Sequence, residues 1–230
     1  MAQPSSQIEV YLEIGSKRTF AGAVEWPGWC RGARDEEAAL QALFDYGPRY
    51  ERVLRAAGLE FRSPAGASAL VVVERLEGNA TTEFGAPDAA PAADNRPVDD
   101  AELARLQGLL RACWDAFDLA VRAAAGKELR KGPRGGGREL DGVVEHVLGA
   151  EASYLAQLGG KLKKQDRQGD PGEAVEPARQ AILDTLAAAA RGEVASHGPR
   201  GGKRWPPRYF VRRAAWHLLD HAWELEDRAV

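Results

Sequence analysis

Apolar and polar residues alternate from Ile8 to Ile14, placing Ile8, Val10, Leu12 and Ile14 on one face of a strand. After Gly15-Ser16 a second run, Thr19 to Val24, completes a predicted β-hairpin. The period then lengthens. Asp35-Glu36-Glu37 opens an amphipathic helix carrying Ala38, Leu40, Ala42, Leu43 and Phe44, its acidic first turn matching the helix dipole. Gly47-Pro48 is expected to end that helix and to start a shorter one from Arg49 to Ala57. Leu59-Glu60-Phe61 and the apolar run Ala69 to Val73 predict further strands, so residues 1–77 are expected to form a small α/β domain.

Residues 78–97 change character. Gly78, Gly85, Pro87, Pro91 and Pro97 are interspersed with Ala, Asp, Asn and Thr, a composition expected of a linker. Beyond it the pattern is helical. Asp99 or Asp100 can cap a helix reaching about Ala125, with Leu103, Leu106, Leu110, Cys113, Phe117 and Val121 on one stripe. Three more helices are predicted, from about Glu139 to Leu158, Pro171 to Arg191 and Pro207 to Arg228. The expected fold class is therefore α+β: the small N-terminal domain, then a four-helix bundle over 98–230. If the connection from Gly159 to Asp170 is a long crossover between the second and third helices, the second and fourth run antiparallel.

Composition narrows the function classes. The 230 residues are 44% hydrophobic and carry a net charge of -3, which leaves no global basic surface for nucleic acid. No run of about 18 apolar residues exists to span a bilayer, and Met1-Ala2-Gln3-Pro4-Ser5-Ser6 has no signal-peptide character, so a cytoplasmic location is expected. Two cysteines, Cys30 and Cys113, do not make a disulfide framework, and both are expected as reduced thiols.

The candidate chemistry lies in the histidines, of which the chain has only four. His217 and His221 are four residues apart in the fourth helix and share a face, where they could hold one metal ion. His146 lies in the second helix, at a depth compatible with the pair if the two helices are antiparallel. Three histidines would leave an open position for water or substrate. Imidazole suits Zn, Ni, Fe or Cu, and one divalent ion, Zn or Ni first, is the expected cofactor. Glu145, Glu151 and Glu224 are candidate carboxylate partners for the imidazoles, although each alone reads as well as a solvated helix face. The bland alternative for the histidines is a set of ordinary, hydrogen-bonded helix residues.

With a histidine in the second helix and His-x-x-x-His in the fourth, residues 98–230 resemble the DinB family of four-helix bundles. The tail Trp216-His217-Leu218-Leu219-Asp220-His221-Ala222-Trp223-Glu224-Leu225-Glu226-Asp227-Arg228 is especially similar. The resemblance implies that His146, His217 and His221 are the metal ligands. It also implies a thiol-dependent S-transferase or isomerase using mycothiol, bacillithiol or glutathione, since the family includes these. The ion would act as a Lewis acid, activating a thiol against an electrophilic carbon or water for hydrolysis. A non-catalytic ligand-binding or stress-associated sensor on the same bundle is the alternative, and a structural module with three buried histidines is the third reading.

Two basic glycine-rich loops precede the histidine-bearing helices, Lys131 to Arg138 and His197 to Arg204. Arg134, Arg138, Arg200, Lys203 and Arg204 are therefore candidates for holding the phosphates or carboxylates of a thiol cofactor or substrate. A P-loop is excluded, because no Ser or Thr follows Lys203 and no predicted strand leads into the loop. Arg200, Lys203, Arg204, Arg208, Arg212 and Arg213 around Trp205 and Tyr209 are the strongest case for nucleic acid, but the acidic total and the lack of a motif argue against it. In the N-terminal part, Ala23 to Gly32 followed by Asp35-Glu36-Glu37-Ala38 resembles the hairpin-to-helix passage of HicB-type domains, which implies a similar small α/β fold. Trp26 and Trp29 are expected to pack locally, with cover for the bundle mouth or a homodimer contact as other readings.

Overall fold

The computed structural model describes residues 7–131, 137–162 and 171–230, with no side chains described for 171–174. The chain is α+β and divides into two units, Met1–Arg96 and Pro97–Val230. In the first, β1 (Ile8–Ile14) and β2 (Thr19–Ala23) form the expected antiparallel hairpin, Val10 opposite Ala23 and Ile14 opposite Thr19. β3 (Cys30–Ala33) adds antiparallel to β2, and β4 (Leu70–Glu77) adds parallel to β1, giving the order β3-β2-β1-β4.

Three local expectations are corrected. β3 was not foreseen, because Cys30-Arg31-Gly32-Ala33 carries no alternation; its place is set by the Trp26–Gly28 turn that folds it back on β2. Leu59-Glu60-Phe61 forms no strand. Phe61 instead fills an aromatic cluster, its ring centre 4.9 Å from Trp26, 5.1 Å from Trp29 and 5.0 Å from Tyr50. The third concerns α1 (Glu36–Ala56), which is one helix running through Pro48.

An interior proline costs a helix about 3 kcal/mol. Burial of Leu43, Tyr50 and Leu54 on one face of α1 offsets it, at about 1.5–3 kcal/mol for each large apolar side chain. The Trp29 indole donates to the Leu43 carbonyl at 2.8 Å, and the Tyr50 hydroxyl donates to the Pro27 carbonyl at 2.8 Å. Trp29, fully buried, is therefore a core residue of its own unit and no surface contact.

The segment expected as a linker over 78–97 is also corrected: it packs on the sheet. Pairing with β4 puts Tyr11, Glu13 and Glu74 on one face of the sheet. Glu13, fully buried there, accepts hydrogen bonds from the Thr82 hydroxyl and from the backbone N–H of Asp88 and Ala89. Glu74 accepts from the Ala92 N–H at 3.0 Å. A short α2 (Ala80–Phe84), capped by Asn79, and a 3-10 turn at Ala92–Asn95 shape this cover. Proline and glycine content reads as a linker, but two carboxylates on the sheet hold the backbone down.

The second unit contains α3 (Asp100–Ala124), α4 (Leu140–Leu158), α5 (Pro171–Ala190) and α6 (Pro207–Arg228). Asp99 caps α3, accepting from Glu102 N–H at 2.8 Å. Contacts at the ends give the directions. Arg208 pairs with Glu102 at the start of α3, and Val230 N–H reaches Glu128 O beyond its end, so α3 and α6 run parallel. Trp205 N–H bonds Gln157 O, and Arg228 Nη2 bonds Arg138 O, so α4 and α6 run antiparallel. Gln107 reaches the Leu183 carbonyl while Asp118 pairs with Arg179, so α5 opposes α3 and runs with α4.

The parallel run of the consecutive α4 and α5 is the arrangement expected with a crossover connection; residues 163–170 of that connection lie outside the described residues. Its start is sharp. Gly159 ends α4 at φ +108, where a Cβ would stand 2.6 Å from Val194 Cγ1. Among the described residues no helix is long and apolar enough to cross a membrane. Both cysteines are free and buried, Cys30 in β3 and Cys113 in α3, where burial pushes the Cys113 thiol far above its ordinary value.

Candidate metal centre

The Arg228–Arg138 contact fixes the register that brings the three histidines together. Measured along the helices from that contact, His146 lies about 12 Å in, between His221 at about 10 Å and His217 at about 16 Å, at 1.5 Å per residue. The rings meet accordingly. Their centres are 5.0 Å apart for His146 and His217, 4.9 Å for His146 and His221, and 4.7 Å for His217 and His221. One nitrogen from each ring lies within 4.8 Å of the others, a grouping that could hold a metal ion.

The donor set fits such an ion. The Nε2 atoms of His146 and His217 stand 3.1 Å apart, close to the roughly 3.3 Å expected of two nitrogens bound tetrahedrally to one zinc. His217 and His221 are 7% and 9% exposed. Burial, then the neighbouring His221, His146, Arg213 and Arg138, holds the His217 pKa far below its ordinary value. Burial and then Arg138 lower that of His146. Both rings are therefore neutral near pH 7, with lone pairs available to a cation.

Glu224 orients the third ring. Its Oε2 lies 2.7 Å from His221 Nδ1, and since a carboxylate only accepts, Nδ1 carries the proton and Nε2 is left as the ligand atom. Arg228 holds the other carboxylate oxygen at 2.6 Å, and also reaches the carbonyls of Arg130 and Arg138 at 2.9 Å each. The His221 hydrogen bond first, with help from Arg228, keeps the Glu224 carboxyl below the usual carboxylate range. Arg228 thereby ties α6, the residues flanking the first basic loop and the His221 partner into one framework.

Of the three carboxylates named from sequence, only Glu224 partners a histidine. Glu145 is exposed, one position from His146 and on a different face. Glu151 is buried and accepts from the Trp114 indole, and burial raises its pKa to about 7. Its charged neighbours are Arg179 and Asp118, so it belongs to the contact of α4 with α3 and α5 and not to the histidine cluster.

Among the described residues, the basic residues proposed for cofactor binding do not converge. Arg138 lies just before α4, its carbonyl bound by Arg228 and its charge felt by His146. Arg204 lies at the opposite end of that 19-residue helix, bonded to the Ala195 carbonyl and beside Gly159. Arg200 and Lys203 are exposed in that same loop, Lys203 bridged to His197. About 28 Å of helix separates the two loops. Arg134 lies outside the described residues. His197 is exposed, with Ser196 at 3.0 Å, and takes no part in the cluster.

Sequence reasoning passed over Tyr154 and placed Arg213 elsewhere. Tyr154 stands edge-on to His217, ring centres 5.7 Å apart, and also meets Trp205 at 5.2 Å. Arg213 is on the histidine face of α6, and its four-residue offset from His217 was the available signal. Comparison with known protein families, curated proteins and solved structures finds no match.

Proposed function

We propose that the helical unit is a DinB-like site for one divalent metal ion, Zn or Ni, held by His146, His217 and His221, and that it acts as a thiol-dependent S-transferase or a metal-assisted hydrolase. The observation that carries the reading is the pair of Nε2 atoms 3.1 Å apart on neutral imidazoles, joined by a third ring whose tautomer Glu224 sets. Three protein ligands leave room for an exogenous one. When bound, the ion supplies Lewis acidity, lowering the pKa of a thiol or water brought to it.

The chain's own residues do the rest. His217 and His221 lie in a largely buried stretch of α6, which limits the access of water. Glu224, already shared between His221 and Arg228, is committed to orienting a ligand and is not free to move a substrate proton.

Metal analysis of protein purified without a histidine tag tests the reading: about one equivalent of Zn or Ni is expected, lost in the His217→Ala, His221→Ala double variant. Absence of metal binding would leave the 3.1 Å contact as a hydrogen bond between two imidazoles in a structural core. Turnover of an electrophile with low-molecular-weight thiols then separates an enzyme from a ligand-binding sensor, for which metal would be present and turnover absent.

A further inference from the structure

Arg213 stands one helical turn before His217 on α6. It is only 8% exposed, and among the described residues its Nε and Nη1 are buried without a hydrogen-bond partner. A guanidinium is permanently charged and carries five N–H donors, so burying it without acceptors is unfavourable. Its neighbours are aromatic. Cζ lies 4.9 Å from the Trp216 ring centre and 5.6 Å from that of Tyr154. The ring faces attract the cation but do not satisfy its Nε and Nη1 donors with a hydrogen bond. The Tyr154 ring is in turn edge-on to His217, so a single side chain bridges the guanidinium and the histidine cluster.

We infer that Arg213 is the anchor for an anionic group, a carboxylate or similar oxyanion, on the molecule that binds at the histidine cluster. The assignment rests on the metal reading above and names the substrate class for that site. Imidazole ligands bring no negative charge to a divalent ion, and the nearby Glu224 carboxylate is already engaged by His221 and Arg228. Arg213 adds a second centre of positive charge beside the cluster. A ligand with one group for the ion and an oxyanion for the guanidinium satisfies both, and the planar fork of Arg fixes its orientation.

The test loads the full chain with cobalt(II) and follows its visible absorption during titration with mercaptoacetate, 3-mercaptopropionate and 4-mercaptobutyrate, each against its own amide. Each pair shares a thiol and differs in the carboxylate. At least one carboxylate is expected to bind about tenfold or more tightly than its amide, the scale of a charge-assisted hydrogen bond. Arg213→Met is expected to take up cobalt still but to lose that preference, and Arg213→Lys to keep part of it. Equal binding within all three pairs by the native chain overturns the anchor and needs no variant to fold. So does a preference that survives in Arg213→Met. Failure of the native chain to take up cobalt overturns the metal reading and the anchor together, whereas cobalt uptake without a carboxylate preference overturns the anchor alone.

Discussion

Replacing Glu224 with glutamine keeps the side-chain length but removes the charge that His221 and Arg228 share. In the native chain one carboxylate oxygen lies 2.7 Å from His221 Nδ1 and the other 2.6 Å from Arg228 Nη1. The amide has a single oxygen to accept with, so one donor loses its partner and faces an NH2 group instead. If the imidazole loses it, the ring is free to change tautomer and Nε2 is no longer reserved for the ion. Loss of such a carboxylate–histidine contact costs about 10- to 100-fold in metal affinity, which is about 1.4–2.7 kcal/mol. Competition for zinc between the protein and a chromophoric chelator at neutral pH measures this directly. Arg228→Met, which leaves the Glu224–His221 contact in place, is expected to lose less. A Glu224→Gln affinity within about threefold of native would refute the claim that this carboxylate orients the ligand, because the expected loss starts near tenfold.

Three further outcomes are expected. The depressed pKa values of His146 and His217 mean that the unfolded chain takes up protons below about pH 6.5 while the fold does not, so metal-free stability should fall as pH drops through that value. Thermal unfolding across pH reads this slope, and His217→Leu should flatten it. For Glu151 the sign is opposite: its pKa rises from 4.5 to about 7, so its contribution is present below pH 4.5 and lost as pH climbs through 7. Glu151→Gln, which can still accept from the Trp114 indole, should therefore gain on the native chain by about 3 kcal/mol between acid and alkaline pH in denaturant titrations. In the first unit, Glu13→Ala leaves the Asp88 and Ala89 N–H groups and the Thr82 hydroxyl without their acceptor. It should cost about 3 kcal/mol or more and open residues 78–96 to proteolysis; unchanged cleavage would show that other contacts hold the segment.

Much of the fold is written in local patterns. The alternation of Ile8 to Ile14 gives β1, Asp99 gives the start of α3, and the Pro207 to Arg228 pattern gives α6. Local signals misled where long-range burial overrode them. Pro48 reads as a helix end, yet the Trp29, Tyr50 and Phe61 cluster holds α1 through it. Residues 78–97 read as a linker because no short-range cue shows that Glu13, more than sixty positions earlier, will bind Thr82, Asp88 and Ala89.

The candidate site divides the same way. By sequence alone, helical periodicity places His217 and His221 on one face of one helix, because four residues make nearly one turn. It also makes Glu224 a reachable partner for His221 and sets Arg213 on the same stripe as His217. Which histidine joins the pair, which of Glu145, Glu151 and Glu224 serves it, and whether the two basic loops meet there are decided only by the directions of α4 and α6 and by where Arg228 ties them. Helical geometry acts over a few residues, whereas the meeting of positions 146 and 217 depends on how two separate helices are packed in depth and rotation, which no short window of the chain contains.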